Sequence, residues 1–237
     1  VAARLGRNVS RGGASDHKPI QAAWRERLEF WFIVRRLLMT LKSFLLLAAI
    51  FSISALPDTA LPSGSTPQQL QHEVARLGGK VELVRDQITR VDLSRSKISD
   101  ADLAVLEDFT DLLELDLRLT AVSDKGLIHL KTLSSLRSLN LFRTTVTDEG
   151  LRSLTHMTKL ETFLIGGTHV TDAGLGSMRA FPELKKLSVF DTQCSDAGLT
   201  SLAGLKNLQT LLTGKSKITE AGIATLRKSL PNLRTSE

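Results

Sequence analysis

The sequence predicts an α/β solenoid, in which similar units of one strand, one turn and one short helix stack on each other. The first observation is a 24-residue spacing between rows that begin with Ile or Leu: Ile88, Leu112, Leu136, Leu160, Leu184 and Leu208. The second is an apolar pair at row positions four and six, the alternation of a strand with one buried face. The third is an apolar pair at positions sixteen and nineteen, which has helical spacing.

These rows have to stack, because one row cannot cover its own apolar face. Neighbouring rows supply the missing contacts and the strand hydrogen bonds, as in other repeat architectures. The sixth row gains one residue, and a truncated seventh row begins at Leu233. We therefore expect repeats over residues 88–237.

Upstream of the repeats, residues 1–38 are rich in Arg, Gly and Ser and have little pattern. The chain opens with Val1, and we expect synthesis to begin at Met39, so residues 1–38 are predicted to be a disordered or non-native extension. Residues 39–56 contain a positive flank, an apolar run and closing small residues, the layout of a secretory signal peptide. An uncleaved membrane anchor, helped by the apolar block at residues 30–34, is the alternative.

A linker and a cap are predicted between this segment and the first row. Pro, Ser and Gly dominate residues 57–66, which favours an extended linker. Residues 67–87 are predicted to form an N-terminal cap of helix plus strand, which covers the apolar face of the first row. Thr66 can cap this helix, Pro67 suits its first position, and Leu70 and Val74 share one face.

Four columns of the turn predict how each helix begins. Position twelve is always Ser or Thr, suited to capping, and position thirteen is Asp or Glu, which favours the helix dipole. Position fifteen is Gly in five rows and Asp102 in the first, and we expect this Gly to let helix and strand approach. Position nine is Ser or Thr, whose hydroxyl can hold the turn backbone. A cation ladder is the alternative for the acidic column, but capping explains it, and we predict no metal and no cofactor.

The turns at residues 146–151 and 170–175, VTDEGL and VTDAGL, resemble the leucine-rich repeat family in the subtype with T-D-x-G-L turns. Exported bacterial proteins look like the most similar members. The resemblance covers residues 88–237 and implies a right-handed solenoid, with parallel strands on a concave face, short helices on a convex face and protein recognition as its task. Substrate-recognition subunits of ubiquitin-ligase complexes carry similar repeats, although no adaptor-binding helical module is recognisable ahead of these.

Strand positions three, five and seven are expected to point away from the core, onto the concave face. The first two rows carry charged residues there, whereas the last four carry apolar ones. Exposed apolar residues beside polar groups suit partner recognition. The predicted partner-binding residues are Asp116, Arg118, Asn140, Phe142, Leu164, Lys186, Phe190 and Leu212. The alternative is that the apolar members pack on each other without a ligand.

Charge and composition exclude other classes of function. Residues 1–42 hold nine basic and three acidic residues, so residues 43–237 are balanced at 22 of each and offer no electrostatic footprint for nucleic acid. Cys194 is the only cysteine, and it replaces Val or Ile in a core column, which predicts a buried, inert thiol. The concave positions contain no His or Cys, so we predict no enzymatic activity.

These observations favour a non-enzymatic protein-binding module that is exported to the periplasm, cell envelope or medium. A structural or assembly protein of the envelope is the alternative, because the C-terminal segment LPNLRTSE contains no lid comparable to the N-terminal cap.

Overall fold

The computed structural model of the protein describes residues 66–85 and 87–236. In this part of the chain, eight strands form one sheet in sequence order. The predictions for residues 1–38, for residues 39–56 and for nearly all of the linker at 57–66 lie outside the described residues. Among the residues that are described, no helix is both long enough and apolar enough to cross a membrane.

The sheet begins with an antiparallel pair and continues with parallel strands. β1 (Lys80–Val84) pairs antiparallel with β2 (Gln87–Asp92), and each later neighbouring pair is parallel. The later strands have three residues each: β3 (Glu114–Asp116), β4 (Ser138–Asn140), β5 (Thr162–Leu164), β6 (Lys186–Ser188), β7 (Thr210–Leu212) and β8 (Arg234–Ser236). Their register is constant, so residues at the same row position lie side by side.

Short helices alternate with these strands. The α-helices are α1 (Pro67–Arg76), α2 (Asp124–Leu127), α3 (Asp148–Ser153), α4 (Asp172–Leu175), α5 (Asp196–Leu199) and α6 (Glu220–Ser229). The 3-10 helices are Ala101–Leu106, Ile128–Leu130, Gly176–Ala180 and Thr200–Leu202. Part of the predicted helix is thus 3-10, a geometry in which residues three apart also share a face.

The core is one apolar cluster that runs from α1 to the last row. Position four of the six rows is buried throughout, at Val91, Leu115, Leu139, Phe163, Leu187 and Leu211. Positions six, sixteen and nineteen are buried as well, so the register predicted from the sequence is confirmed. Since the core-facing side chains of each strand are at even positions, the odd positions face away from the core.

The N-terminal helix starts as the sequence predicts. Thr66 forms a capping box with Gln69: the Gln69 backbone N–H donates to the Thr66 hydroxyl, and the Gln69 side chain accepts from the Thr66 N–H. Leu70 and Val74 are fully buried against the core. The helix therefore covers the N-terminal end of the apolar stack.

Carboxylates of the acidic column join each row to the next. In the second row, the Ser123 hydroxyl donates to Asp100 Oδ2 at 2.5 Å and the Ser123 N–H donates to Asp100 Oδ1 at 2.7 Å. The same interrow carboxylate bridge recurs in four further pairs: Asp124 with Thr147, Asp148 with Thr171, Asp172 with Ser195, and Asp196 with Thr219. The bridged Ser or Thr also caps its own helix, so capping by position twelve is confirmed in rows two to six.

The Gly residues at position fifteen were expected to let helix and strand approach, and this expectation is wrong about the group that approaches them. A Cβ atom on Gly126 would lie 2.5 Å from Asp100 Oδ1, and one on Gly198 would lie 2.5 Å from Asp172 Oδ1. The Gly therefore admits the carboxylate of the preceding row, rather than a strand of its own row. The first row has Asp102 at this position, where its carboxylate accepts from Ser99 instead.

Hydroxyls at position nine hold the turn after each strand, as the sequence predicts. Each Ser or Thr donates to the carbonyl oxygen three residues earlier, for example Thr120 to Leu117 at 2.6 Å and Thr144 to Leu141 at 2.8 Å. These threonines are buried. Their side-chain hydrogen bonds give the hydroxyl groups a partner in the interior.

Candidate functional site

The candidate site is the face of the sheet that points away from the core, here called the outer surface. It consists of row positions three, five and seven, with position eight at its border. Position five aligns Asp116, Asn140, Leu164, Ser188 and Leu212 in adjacent strands. Backbone hydrogen bonds continue past the strands, from Arg143 N–H to the Gly166 carbonyl and from Gly167 N–H to the Phe190 carbonyl. Positions seven and eight are therefore also held in register.

Charged side chains in the first two rows neutralise each other. Arg90 lies 3.4 Å from Glu82 and 3.6 Å from Glu114, measured between nitrogen and carboxylate oxygen. Arg118 lies 3.4 Å from Asp116. These contacts support the interpretation of this end as a solvated charge group.

Partial burial acts to raise the pKa of Asp92, but hydrogen bonds from Ser94 and the nearby Arg118 and Arg90 outweigh it and lower that pKa. Asp92 thus accepts from the turn that follows its strand, with the Ser94 N–H at 2.9 Å. The Asp92 carboxylate therefore serves to fix the backbone of this turn.

Asp116 and Asn140, two of the predicted binding residues, also accept hydrogen bonds from the backbone of the following turn. Asp116 accepts from the Arg118 N–H at 3.0 Å, and Asn140 accepts from the Phe142 N–H at 3.0 Å. The Asn140 amide also donates to Asp116 at 3.2 Å. Since their polar atoms are used internally, these residues position the neighbouring Arg118 and Phe142.

The most distinctive feature of the outer surface is an aromatic pair, Phe142 and Phe190. These residues belong to rows three and five, yet their ring centroids are only 6.5 Å apart, with the planes tilted by 40°. Gly166 of the intervening row makes this possible, because a Cβ atom there would lie 3.0 Å from the Phe142 ring and 2.9 Å from the Phe190 carbonyl oxygen. Both rings are only half-buried. The apolar residues thus do pack on each other, and they also keep surface open to solvent.

Leu164 and Leu212 extend this apolar surface along position five. Both are half-buried, and Ser188 between them is buried. Lys186 is exposed at position three of the same strand as Ser188. The structure therefore brings the predicted residues Phe142, Leu164, Phe190 and Leu212 onto one face. Arg118 of row two and Lys186 of row five lie on that same face.

Position eight contributes side chains that the sequence analysis missed. Arg143 lies with its guanidinium carbon 5.4 Å from the Phe142 ring centroid, and the Lys215 ammonium lies 5.5 Å from the Phe190 centroid. Both distances allow cation–π attraction. Leu119, in the same column, is 37% exposed. A usable signal was present, since Leu119 is the one apolar residue in a column that otherwise reads Arg95, Arg143, Gly167, Asp191 and Lys215.

Every residue of this column has a positive φ, including Leu119 at 57° and Arg143 at 54°. This left-handed backbone conformation is uncommon for side chains other than Gly, Asn and Asp. Leu119 therefore holds an apolar side chain at the border of the outer surface in a conformation that its own preferences disfavour.

Other groups in the described residues lie outside this surface. No cluster of three or more His, Cys, Asp or Glu side chains suited to a metal ion occurs in residues 66–85 and 87–236. A groove of about 380 Å³ between α5 and α6 is lined by Leu199, Thr200, Ala203, Ala221, Thr225 and Leu226. Asp196 at its edge is engaged by the Thr219 hydroxyl and N–H, which hold the pKa of its carboxyl below the ordinary value. The lining thus combines small and apolar side chains with the hydroxyls of Thr200, Thr225 and Ser229.

Cys194 is fully buried, and burial raises the pKa of its thiol to about 11. Because the reactive species is the thiolate, we expect the folded protein not to react with a disulfide reagent such as DTNB at neutral pH. Unfolding in urea returns the pKa to about 8.5 and exposes the sulfur, so the thiol then reacts fully. Absorbance of the released thiol measures both states. Complete reaction of the folded protein would contradict the assignment of Cys194 to the core.

Comparisons with known proteins address the fold. Residues 110–131 and 132–154 match the family model described as "Leucine Rich repeat". Internalin C2 of Listeria monocytogenes has a solved structure with 18% sequence identity and a TM-score of 0.50, and the alignment covers 74% of this chain and 83% of internalin C2. No curated protein sequence matches the chain.

Two further solved structures are similar over part of their length. Internalin InlF of Listeria monocytogenes has 22% identity and a TM-score of 0.49, with 56% of this chain and 37% of InlF covered. A leucine-rich-repeat protein of Leptospira interrogans has 18% identity and a TM-score of 0.41, with 56% and 39% covered. This chain therefore spans well under half the length of either structure.

At these identities the structural likeness concerns the fold alone. The chain thus contains two stretches that match a leucine-rich repeat model, and it shares its fold with internalin C2. The parallel sheet with short helices fits a solenoid of this class.

Proposed function

We propose that the chain is a non-enzymatic protein-binding module that recognises a partner on the outer surface of its sheet, the concave face of a leucine-rich-repeat solenoid. The observation that carries this proposal is the half-buried aromatic pair, Phe142 and Phe190, on a face that has no part in the core. Aromatic residues dominate the binding energy of many protein interfaces. Leucine-rich repeats generally serve protein interaction, which supports the same class of function.

Replacing Phe142 and Phe190 together by Ser tests this proposal. We expect capture of partner proteins from the native compartment to fall by about tenfold or more, since truncation of a central aromatic residue commonly costs more than ~1–2 kcal/mol of binding energy. Quantitative mass spectrometry of captured proteins provides the measurement. Circular dichroism establishes that the variant is folded.

Ile128→Ser is the matched control. Ile128 is 54% exposed, directly follows α2 and does not belong to the outer surface. Its replacement removes a comparable exposed apolar group and should leave capture unchanged. If the double variant and this control capture the same proteins in the same amounts, the outer surface is not the binding site.

A structural or assembly protein of the cell envelope is the second candidate. It is favoured by β8, which pairs with β7 on one side and is the last strand of the described sheet. A strand at the edge of a sheet presents unpaired backbone groups that can pair with another chain. Light scattering after size exclusion separates the two candidates, because assembly predicts a mass that increases with concentration and recognition predicts a stable monomer.

We further propose that this is a bacterial protein exported through the segment at residues 39–56, with membrane anchoring by the same segment as the alternative. The support is the sequence pattern of that segment. Fractionation with mass spectrometry of the N-terminus tests it. Export with cleavage gives a soluble envelope or medium protein that starts after residue 56, whereas anchoring keeps the segment in the membrane fraction.

A further inference from the structure

The distribution of paired and unpaired charge on the outer surface indicates the chemistry of its partner. We propose that rows three to six of this surface bind a protein segment in which acidic residues flank apolar or aromatic ones. The inference rests on the proposed function and specifies the partner of the same site.

Rows one and two carry a balanced set of charges. At positions three, five, seven and eight, they hold three cations and three anions: Arg90, Arg95 and Arg118 against Asp92, Glu114 and Asp116. Arg90 and Arg118 are paired with carboxylates of the chain itself. This end has little net attraction for a charged partner.

Rows three to six differ both in the balance of their charges and in the pairing of these charges. At the same four positions they hold three cations, Arg143, Lys186 and Lys215, and only one carboxylate, Asp191. All four side chains are exposed. Within residues 66–85 and 87–236, none of the three cations forms an ion pair with a carboxylate. An excess of unpaired positive charge on a face favours a partner with complementary negative charge.

The cations are placed beside the apolar groups. Arg143 lies next to the Phe142 ring and Lys215 next to the Phe190 ring, at 5.4 Å and 5.5 Å from the respective centroids. Each ring of the pair thus has its own cationic group close by. A ligand that covers the rings with an apolar side chain brings its flanking residues to Arg143 and Lys215. Acidic flanking residues would pair with those cations, whereas basic ones would be repelled.

Selection from a random library of short displayed peptides, with the full-length protein as bait, tests the inference. We expect the selected peptides to carry more Asp and Glu than Lys and Arg, around at least one aromatic or large aliphatic residue. Arg143→Gln with Lys215→Gln should weaken the selected peptides by about 3- to 10-fold at low salt, and less at physiological salt, because exposed charge pairs are weak and screened. Fluorescence anisotropy with a labelled selected peptide gives the affinities.

Arg95→Gln is the control, because Arg95 occupies position eight of the first row with the same left-handed backbone, at a φ of 58°. It should leave peptide affinity unchanged. Selected peptides that are neutral or basic, yet lose binding in the Phe142→Ser, Phe190→Ser variant, would overturn this inference and leave the proposed function standing.

Two other outcomes would also contradict the inference. If no selected peptide depends on Phe142 and Phe190, both the inference and the proposed function fail. If the protein instead binds vesicles of phosphatidylcholine and phosphatidylglycerol through Arg143 and Lys215, and no acidic peptide competes, the cations serve a lipid surface. The assignment to a protein segment is then wrong.

Discussion

Replacement of Phe163 by Ala is expected to lower the free energy of unfolding by about 3–5 kcal/mol, the range for large-to-small changes of a buried aromatic residue. Phe163 is fully buried at position four of the fourth row. Its ring meets Phe181 edge-on, with centroids 5.6 Å apart and planes at 78°. Alanine would leave a cavity in the middle of a stack whose rows contact only their neighbours, so relaxation cannot be shared widely. Urea unfolding followed by circular dichroism measures the change.

Phe163→Leu is the matched control, because Leu already occupies this position in four other rows, at Leu115, Leu139, Leu187 and Leu211. We expect a smaller loss, of about 1–2 kcal/mol, from the imperfect fit of Leu against Phe181. If Ala proves as mild as Leu, then the pair is not tightly packed, and the account of the core at this row is wrong.

The second large effect is expected at the Gly column. Gly150→Ala should destabilise the protein by about 2–3 kcal/mol, even though Ala is the better helix former. The new Cβ atom would overlap the Asp124 carboxylate and approach the Leu127 side chain within 2.9 Å. Displacement of that carboxylate would break its hydrogen bonds to the Thr147 N–H and hydroxyl, at 2.8 Å and 2.6 Å. Urea unfolding again provides the measurement.

A double-mutant cycle shows whether the carboxylate is the cause. Asp124→Ala alone loses the interrow carboxylate bridge and is expected to cost about 1–3 kcal/mol. In the Asp124→Ala, Gly150→Ala double variant, the overlap with the carboxylate no longer exists, so the combined loss should be smaller than the sum of the single losses. Strict additivity would show that Gly150 and Asp124 act independently.

Gly176→Ala completes the comparison. Gly176 is exposed in a 3-10 helix, and a Cβ atom there would have no neighbour within 4 Å. This substitution should be neutral or stabilise the protein by up to about 1 kcal/mol, through reduced entropy of the unfolded chain. A loss as large as that at Gly150 would indicate a general helix effect.

Much of this fold could be predicted from the sequence because the physical signals repeat. A single apolar pair such as Leu139 and Leu141 is ambiguous, but five such pairs at one spacing, followed by Leu211 and Thr213 in the sixth row, fix which face of every strand is buried. The capping of α3 by Thr147 and the burial of Cys194 follow from the same register. The predicted outer residues Phe142 and Phe190 could be placed on one face for this reason.

The parts that could not be predicted depend on geometry between rows. Gly150 and Asp124 are 26 positions apart in the sequence, and only the stacked coordinates show that they meet. The approach of Phe142 to Phe190 depends on ring orientation and on the space above Gly166, neither of which is visible in the pattern of apolar residues. The left-handed turn at position eight was hidden because Arg and Leu occupy it as well as Gly.

The interrow carboxylate bridge also gives the stack a direction. Each internal row offers an Asp to the row after it and receives one from the row before it, beside a Gly. The first row, with Asp102, lacks the Gly that receives, and the sixth row has Glu220 in place of the Asp that is offered. The internal rows are therefore equivalent with respect to this bridge, although they still differ in other contacts, such as the approach of Phe142 to Phe190 over Gly166. The series of bridges is thus polar: it begins with the carboxylate that the first row offers through Asp100, and it ends at Thr219 of the sixth row, which receives the carboxylate of Asp196.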